Sequence, residues 1–243
     1  MNPVALVTGG TRRVGAAIAE ELAQAGMDVV ITYRGDLPGA EATCARIADM
    51  GRHARAVQLD LAMLTSAESL VATTGLERLD ALVLNAASWH GRPWGGWTHR
   101  DLVESLQVNA VAPVLMAQGL RGLLERSSLP GGGSIVAIGD VHAAGTPVRG
   151  YAGYLMSKAA LAQAVQQMAV ELAPRIRANV VLPGVVAWPD SIDAQARARI
   201  LERIPSGRAG EPRDVARLVR FLCLEAPFIT GAAIPVDGGR SLR

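Results

Sequence analysis

The stretch Leu6–Gly15, LVTGGTRRVG, joins a short apolar strand to the start of an amphipathic helix. Thr8 and Gly9 permit a tight turn after the strand, and Gly15 lets the helix approach closely. The first turn of such a helix presents unpaired backbone N–H groups and a positive dipole end, which favour a bound pyrophosphate. An arginine, Arg13, stands where a middle glycine is expected. An ordinary strand-to-helix turn has a similar composition, so other motifs must decide between the two interpretations.

Apolar runs of strand length recur along the chain and are separated mostly by segments of helical periodicity. This alternation is typical of a parallel sheet with helices on both faces. With right-handed crossovers it predicts one α/β domain over residues 1–243, a Rossmann-like, doubly wound parallel sheet of about seven strands. The predicted strands are Val4–Val7, Val29–Tyr33, Ala56–Leu59, Ala81–Leu84, Ile135–Ile138, Asn179–Leu182 and Ala232–Val236.

The composition argues against several classes of protein. The 24 lysines and arginines and the 22 acidic residues leave a formal charge of only +2, which is not the footprint of a nucleic-acid-binding protein. No apolar run reaches the roughly 18 residues of a spanning helix, and the N-terminus lacks a signal-peptide profile, so a cytoplasmic protein without membrane contact is predicted. Cys44 and Cys223 lie far apart without metal-ligand spacing, which predicts buried or incidental thiols and no disulfide or metal site.

Three loops of polar or small residues follow predicted strands, namely Ser88–Thr98, Asp140–Gly150 and Pro183–Asp190. Ligands of open α/β sheets bind outside the carboxyl ends of the strands. These three loops are therefore predicted to wall the functional site.

The second predicted strand ends in Tyr33 and Arg34 and lacks an acidic residue at that position. A carboxylate there would accept hydrogen bonds from a free ribose 2′-hydroxyl, whereas a guanidinium suits a 2′-phosphate. The position favours NADP over NAD, and the alternative is a solvated loop arginine. Asp60 and Asn85 end the third and fourth strands, where they suit the adenine amino group and the loop beside the cofactor, or merely cap their loops.

Tyr154 and Lys158 stand four residues apart on a predicted helix, Tyr151–Leu172, so both side chains can face one cleft. A phenol with a pKa of about 10 is a poor acid–base catalyst at neutral pH. A nearby cation favours the phenolate and is expected to bring the pKa closer to a useful range. Taken alone, the motif is equally a surface pair on an amphipathic helix.

Together these motifs resemble the short-chain dehydrogenase/reductase family over essentially the whole chain. The resemblance implies that Tyr154 donates or accepts a proton, and that Lys158 holds the nicotinamide ribose and tunes Tyr154. It also implies that Asn109 supports a water-linked proton path, although Asn109 can instead bond a helix backbone. The matching segments are TGGTRRVG at Thr8–Gly15, Asp60, NAAS at Asn85–Ser88, Asn109, Tyr154–Lys158, PG at Pro183–Gly184 and VDGG at Val236–Gly239.

One position departs from the common family pattern. The serine usually found after the fifth strand is absent, and Asp140 follows Ile135–Gly139 instead. An ionised carboxylate cannot polarise a carbonyl group, but it can accept from an N–H or pass a proton toward a ring nitrogen. The aspartate therefore suits a nitrogen heterocycle with a C=N bond, and the alternative is a loop cap without a catalytic part.

Arg13 in the turn and Asp140 at the serine position together resemble pteridine reductases and bacterial dihydromonapterin reductases. The segment Gln107–Pro113 and the C-terminal VDGGRSLR add to this resemblance. It implies that Arg13 reaches both the cofactor phosphates and the pterin edge, which suits its planar fork. It also implies a homotetramer and a stacking aromatic residue near Ser88, namely Trp89 or the more distant Trp94 or Trp97, or else aromatic residues that only pack the loop.

The resemblance assigns two sets of binding residues. Pro183–Val185 would border the nicotinamide amide, unless Pro183-Gly184 is only a turn. The cofactor set is Gly9, Thr11, Arg12, Arg13, Val14, Tyr33, Arg34, Asp60, Leu61, Asn85, Ala86, Lys158, Pro183, Gly184 and Val185. The substrate set is Arg13, Ser88, Trp89, His90 and Tyr154.

The expected function is NADPH-dependent reduction of a dihydropterin C=N bond, with Asp140, Tyr154, Lys158 and Asn109 as the catalytic group. The first alternative is a generic carbonyl reductase, of a 3-oxoacyl thioester for example, in which Asp140 is a bystander. The second alternative is a nucleotide-sensing or scaffolding protein that binds NADP without turnover.

Overall fold

The computed structural model describes residues 2–66, 68–188 and 192–242. Within these residues seven parallel strands form one sheet in the order β3-β2-β1-β4-β5-β6-β7. The strands are β1 Val4–Thr8, β2 Asp28–Tyr33, β3 Ala54–Gln58, β4 Ala81–Leu84, β5 Gly133–Ile138, β6 Ile176–Pro183 and β7 Ala233–Val236. The helices are α1 Arg13–Gln24, α2 Leu37–Asp49, α3 Glu68–Thr74, α4 His99–Leu106, α5 Ala112–Leu124, α6 Ala152–Glu171, α7 Ala194–Leu201 and α8 Pro212–Leu224.

All seven predicted strands are present, and the predicted doubly wound α/β fold is confirmed. The bounds differ where polar residues interrupt an apolar run. β6 begins at Ile176 rather than at Asn179, because Ile176 already pairs with Gly133 of β5. Arg177 lies buried inside this extension and donates to four backbone carbonyl oxygens. These bonds compensate the burial of its charge and allow an arginine within a core strand.

The core consists of two apolar layers, one on each face of the sheet. Successive side chains of a strand point to opposite faces, so Leu6 of β1 joins one layer while Ala5 and Val7 join the other. Helices α5 and α6 cover the first face, and α1, α2 and α8 cover the second. This double cover explains why the strands are continuous apolar runs rather than alternating ones.

The order of the strands fixes where a ligand can bind. β1 pairs with β2 on one side and with β4 on the other, so the chain direction across the sheet reverses between β1 and β4. A reversal of this kind opens a crevice at the carboxyl ends of the strands. The predicted site residues that follow β1, β4 and β5 all lie at this edge.

Two predictions from composition concern the thiols and the membrane. Cys223 is buried and Cys44 is half-buried, and both are free thiols. Burial raises the pKa of the Cys223 thiol to about 11, which makes it a poor nucleophile at neutral pH.

Within residues 2–66, 68–188 and 192–242, no helix has the length and apolar character needed to cross a bilayer. The cytoplasmic location stays a prediction.

Candidate active site

The turn between β1 and α1 forms a close-packed cradle. Gly9 has a φ of +66°, which favours glycine. A Cβ at Gly15 would lie 2.0 Å from the Gly9 carbonyl oxygen, so only glycine lets α1 start this close to the turn. Asn85 Nδ2, after β4, donates to the Thr8 carbonyl oxygen at 2.9 Å and to that of Gly9 at 3.2 Å. The turn is therefore fixed from both sides, as a phosphate cradle at a helix N-terminus requires.

Arg13 has a φ of +49°, the single positive value among the described non-glycine residues. Its side chain is exposed, as is that of Arg12 beside it. The left-handed conformation costs a residue with a Cβ about 1–2 kcal/mol. A residue kept in such a conformation indicates a functional requirement for the side chain, here a guanidinium at the mouth of the cradle.

We expect Arg13→Gly to weaken NADPH binding about tenfold or more, because a charge-assisted hydrogen bond is worth about 1.5–3 kcal/mol. The free energy of unfolding should change by less than about 1 kcal/mol, since the relief of the left-handed strain offsets the entropy that glycine adds to the unfolded chain. Titration of NADPH and urea denaturation measure the two effects. Arg13→Ala is the matched control, with the same loss of affinity and a lower stability than Arg13→Gly. Wild-type NADPH affinity in both variants would contradict the assignment.

The other predicted cofactor residues lie at or just beyond the ends of their strands. Arg34 is exposed after β2, and its carbonyl oxygen accepts a hydrogen bond from Gln58 Nε2 at 3.0 Å. Asp60 Oδ1 accepts from the Ala62 amide at 3.0 Å, so this carboxylate caps its own loop. Its contact with adenine stays a prediction. The same edge carries Thr11, Val14, Tyr33, Leu61, Ala86, Pro183, Gly184 and Val185.

Tyr154, Lys158 and Asp140 meet at the end of β5. Tyr154 and Lys158 lie on α6, and both are buried, with exposed fractions of 8% and 2%. Tyr154 Oη donates to Asp140 Oδ2 at 3.1 Å, and Lys158 Nζ donates to the Ile138 carbonyl oxygen at 2.6 Å. Asp140 Oδ1 accepts from the His142 amide at 2.8 Å. The Asp140 carboxylate thus caps its own loop and also contacts the phenol of Tyr154. Both predicted roles, a loop cap and a partner of the proton donor, are compatible with this geometry.

Asn109 lies on a π-helical turn, Gln107–Val111, between α4 and α5. Its Nδ2 donates to the Ser88 carbonyl oxygen and to Ser157 Oγ, both at 2.9 Å, while its Oδ1 accepts from the Ser88 amide at 2.7 Å. Ser157 Oγ in turn donates to the Tyr154 carbonyl oxygen. The Asn109 side chain therefore ties the loop after β4 to α6, the helix that carries Tyr154 and Lys158. A water-linked proton path through Asn109 stays a prediction.

The loop Ser88–Thr98 packs on the start of α6. Trp89 stacks on Tyr151, with ring centroids 5.2 Å apart and an interplanar angle of 22°. Tyr151 in turn meets the edge of Tyr154 at 6.5 Å. Ser88 Oγ and His90 Nε2 are hydrogen-bonded at 2.6 Å. Trp89 is thus linked to Tyr154 through Tyr151, while Trp97 packs against Gly153 at the start of α6.

The third predicted wall is described only in part, because Pro189 and Asp190 lie outside the described residues. Gly184 donates its amide to the Val236 carbonyl oxygen at 3.0 Å, and Val185 accepts from the Gly210 amide at 2.9 Å. The start of this loop is therefore held beside the end of β7 at the same edge as Asp140.

Comparison with known proteins identifies the family of the chain. A family model described as enoyl-(acyl carrier protein) reductase matches residues 9–241. The human protein "Dehydrogenase/reductase SDR family member 4" is 35% identical over 255 residues, which cover 100% of this chain and 88% of that protein. The chain belongs to the short-chain dehydrogenase/reductase family. As a member of that family it is an NAD(P)-dependent oxidoreductase.

Two further relatives of the family bear on the substrate. The 3-oxoacyl-(acyl-carrier-protein) reductase FabG of Aggregatibacter actinomycetemcomitans is 34% identical over 251 residues, covering 98% of this chain and 99% of that protein. The crystal structure of "FolM Alternative dihydrofolate reductase 1" from Brucella canis, complexed with NADP, superposes with a TM-score of 0.89 at 32% identity. That match covers 99% of this chain and 94% of the other.

The electrostatics of this short-chain dehydrogenase/reductase site correct one expectation. Burial raises the pKa of the Tyr154 phenol well above its ordinary value, and the charge of Asp140 and the hydrogen bond to Asp140 raise it further. The prediction that the Lys158 cation lowers the pKa of Tyr154 was wrong for the protein without a bound cofactor. The Lys158 Nζ lies 5.9 Å from the centre of the Tyr154 ring, while Asp140 touches the hydroxyl. Tyr154 is therefore held as the neutral phenol.

Lys158 gives the free energy of unfolding a pH dependence. Burial lowers its pKa to about 8, and the charge of Asp140 opposes this shift. Between pH 8 and 10 the unfolded chain therefore binds more protons at this lysine than the folded chain does, so stability should rise with pH. We expect a rise of about 2–3 kcal/mol relative to Lys158→Met, in which the group cannot titrate. Urea denaturation of both proteins at pH 7, 8, 9 and 10 measures it, and parallel pH profiles would contradict it.

Two residues that organise the site were missed in the sequence. The sequence pattern predicts Tyr151 as the start of a helix and assigns no role to Ser157. Ser157 lies one turn below Tyr154, a spacing that could have marked it as a neighbour of the phenol. Nothing in the sequence pairs Tyr151 with Trp89, because the contact joins separate loops.

Proposed function

We propose that the chain is an NADPH-dependent reductase of the C=N bond of a dihydropterin. The observation that carries this proposal is the hydrogen bond from Tyr154 Oη to Asp140 Oδ2 at 3.1 Å. An ionised carboxylate accepts hydrogen bonds only, so it offers nothing to a carbonyl oxygen. It can take up a proton from solvent and pass it to the phenolate that remains after the phenol has protonated a ring nitrogen. The similarity to a solved structure named as a dihydrofolate reductase supports the same substrate class.

The residues of the cradle fit a dinucleotide. Gly9 and Gly15 give close backbone access, and the exposed guanidinium groups of Arg12, Arg13 and Arg34 offer positive charge at the same edge. The amide groups of the first turn of α1 would hold the pyrophosphate, and Arg34 would hold the 2′-phosphate. When bound, NADPH supplies the hydride for the carbon of the C=N bond.

The chain's own residues supply the proton. Tyr154, held as a neutral phenol, donates its proton to the ring nitrogen of the reduced bond. The positive charge of Lys158 stabilises the phenolate that remains. Asp140 is half-exposed and contacts Tyr154 Oη, so it can return a proton from solvent to the phenolate. Asn109 and Ser157 hold the helix that carries Tyr154 in place.

We expect the enzyme to prefer NADPH to NADH and expect Arg34→Asp to invert that preference. The variant loses a charge-assisted bond worth about 1.5–3 kcal/mol with the 2′-phosphate, and it gains an acceptor for a ribose hydroxyl. Values of kcat/KM for both cofactors measure the ratio. Arg217→Asp, an equal charge change at an exposed position of α8, is the control and should leave the ratio unchanged. Equal or better use of NADH by the wild type would show the role given to Arg34 to be wrong.

The similarity to a 3-oxoacyl reductase favours one alternative function, the reduction of a carbonyl group. A panel of dihydrobiopterin, dihydromonapterin, dihydrofolate and an acetoacetyl thioester, followed by NADPH absorbance, separates the candidates. A preference for the thioester would replace the proposal with carbonyl reduction. Binding of NADPH without oxidation by any substrate would indicate a sensor or scaffold.

We also propose that the chain assembles as a homotetramer. Several large apolar side chains are exposed on the single chain, and neighbouring copies in an assembly would cover them. They include Val103, Val111, Met156, Val170, Phe221 and Phe228. Light scattering after size-exclusion chromatography measures the assembly directly.

A further inference from the structure

The C-terminal turn carries an arginine to the catalytic edge. After β7, Asp237 accepts from the Gly239 amide at 2.9 Å and from the Ser241 amide at 2.7 Å, which closes the turn. Arg240 begins a short 3₁₀-helix, Arg240–Leu242, directly after this turn. The end of β7 is hydrogen-bonded to Gly184, so the turn lies beside the loop that follows β6. Arg240 is therefore held by the backbone at the edge where Asp140 lies.

One donor of this arginine is buried without an acceptor. Arg240 Nη1 is among three buried side-chain atoms of the described chain that have no hydrogen-bond partner, the others being Trp97 Nε1 and Ser134 Oγ. A guanidinium has five N–H donors and stays charged in proteins. A buried charged donor without an acceptor is unfavourable, and such a group in a native protein requires an explanation. A bound acceptor supplies one.

The charges around Arg240 indicate the sign of that acceptor. Burial is the main cause that lowers the pKa of its guanidinium, the charge of Arg203 lowers it further, and the carboxylates of Asp140 and Asp237 raise it. Asp237 is already engaged by backbone amides, and Asp140 by Tyr154 and a backbone amide. Among the described residues neither arginine forms an ion pair. The charge of Arg203 thus acts on Arg240 as a second positive group, and a bound anion would stabilise both.

The position separates this pair from the cofactor phosphates. Four strand spacings divide β1, which carries the phosphate cradle, from β7, a distance of roughly 19 Å across the sheet. Arg34 lies still further along, after β2. The cofactor phosphates are therefore too far away to supply the acceptor for Arg240.

We infer that Arg240, aided by Arg203, binds an anionic substituent of the substrate and makes the enzyme prefer dihydropterins that carry a carboxylate over neutral ones. This inference rests on the proposed function and names the substrate class within it. A guanidinium binds a carboxylate through two parallel N–H···O bonds, which adds orientation to affinity. The pterin ring would then lie toward Tyr154, and its acidic substituent would extend toward the C-terminal turn.

The test compares Arg240→Gln with the wild type on dihydrofolate, which carries carboxylates, and on dihydrobiopterin, whose side chain is neutral. We expect the KM for dihydrofolate to rise about tenfold, equivalent to about 1.4 kcal/mol. The KM for dihydrobiopterin should change by less than about threefold, and kcat should change little with either substrate. Arg240→Lys keeps the positive charge but loses the planar guanidinium. Its KM for dihydrofolate should lie between those of the wild type and of Arg240→Gln. Arg217→Gln, the same change on the exposed face of α8, is the matched control.

Several results would overturn the inference. These are an equal rise of both KM values, a rise in the KM for NADPH, a change of oligomeric state, or a lower melting temperature without a change in either KM. If the wild type reduces neither dihydropterin, the proposed function fails, and the anion site is tested by calorimetry with p-aminobenzoylglutamate and NADP⁺-loaded protein. Binding by the wild type but not by Arg240→Gln supports the site, and equal or absent binding removes it.

Discussion

Tyr154→Phe is expected to lower kcat for dihydropterin reduction by about 10²–10⁴-fold, the contribution of a positioned general acid. Phenylalanine keeps the ring that packs against Tyr151 and removes only the hydroxyl that contacts Asp140. The affinity for NADPH should stay within about threefold, because the phosphate cradle lies at β1 and is untouched. Single-turnover rates of NADPH oxidation and a direct titration of NADPH measure the two quantities.

Tyr151→Phe is the matched control for this experiment. The structure gives Tyr151 ring contacts with Trp89 and Tyr154, and phenylalanine preserves them. Its effect on kcat should therefore stay within about threefold. A Tyr154→Phe enzyme that keeps the wild-type rate would remove the phenol from the mechanism, and with it the proton donor of the proposed reaction.

Asp140→Ser is expected to lower kcat/KM for a dihydropterin about a hundredfold, at the lower end of acid–base contributions. The same change restores a hydroxyl, which can donate to a carbonyl oxygen, so reduction of a small activated ketone should fall less or should increase. The ratio of the two kcat/KM values is the quantity to measure, because loss of folded protein affects both equally. The predicted change in this ratio follows from the contact between the carboxylate and Tyr154 Oη.

Asp140→Asn separates the charge from the loop cap. The amide oxygen can still accept from the His142 amide, so the 3₁₀-helix Val141–Ala144 keeps its start, while the proton-carrying group is lost. Asp140→Asn should therefore reduce pterin turnover as strongly as Asp140→Ser with little loss of stability. An unchanged pterin-to-ketone ratio in both variants, with NADPH still bound, would leave carbonyl reduction as the function.

The sequence predicted the fold well because the signals that define it are local. The apolar runs of β1, β2, β4 and β5 alternate with helical periodicity, and parallel strands covered on both faces produce that pattern in any sequence. The start of β6 was missed because Arg177 interrupts the apolar run, and its burial depends on backbone acceptors that are distant in sequence. Whether a buried polar group finds hydrogen-bond partners depends on the tertiary structure, and no local sequence pattern shows it.

The site was predicted only in part, because some of its contacts are local in sequence and others are not. The four-residue spacing of Tyr154 and Lys158 fixes their common face, and the structure brings Asp140 to them. The direction of the Tyr154 pKa shift was not predictable, because it depends on the burial of the phenol and on the contact of its hydroxyl with Asp140. Arg240 lies in the VDGGRSLR segment, but no role could be predicted for it, since its buried nitrogen and its neighbours are defined only when β7 is placed beside β6.

The two loops with aromatic residues give the molecule an optical property of its own. Its four tryptophans are Trp89, Trp94 and Trp97 in the loop after β4 and Trp188 in the loop after β6. All indole fluorescence therefore arises at the carboxyl edge of the sheet and none from the core. Reduced nicotinamide absorbs in the range where indole emits, so cofactor binding should quench this emission by energy transfer. Binding can then be titrated without a label, even in variants such as Tyr154→Phe whose turnover is lost.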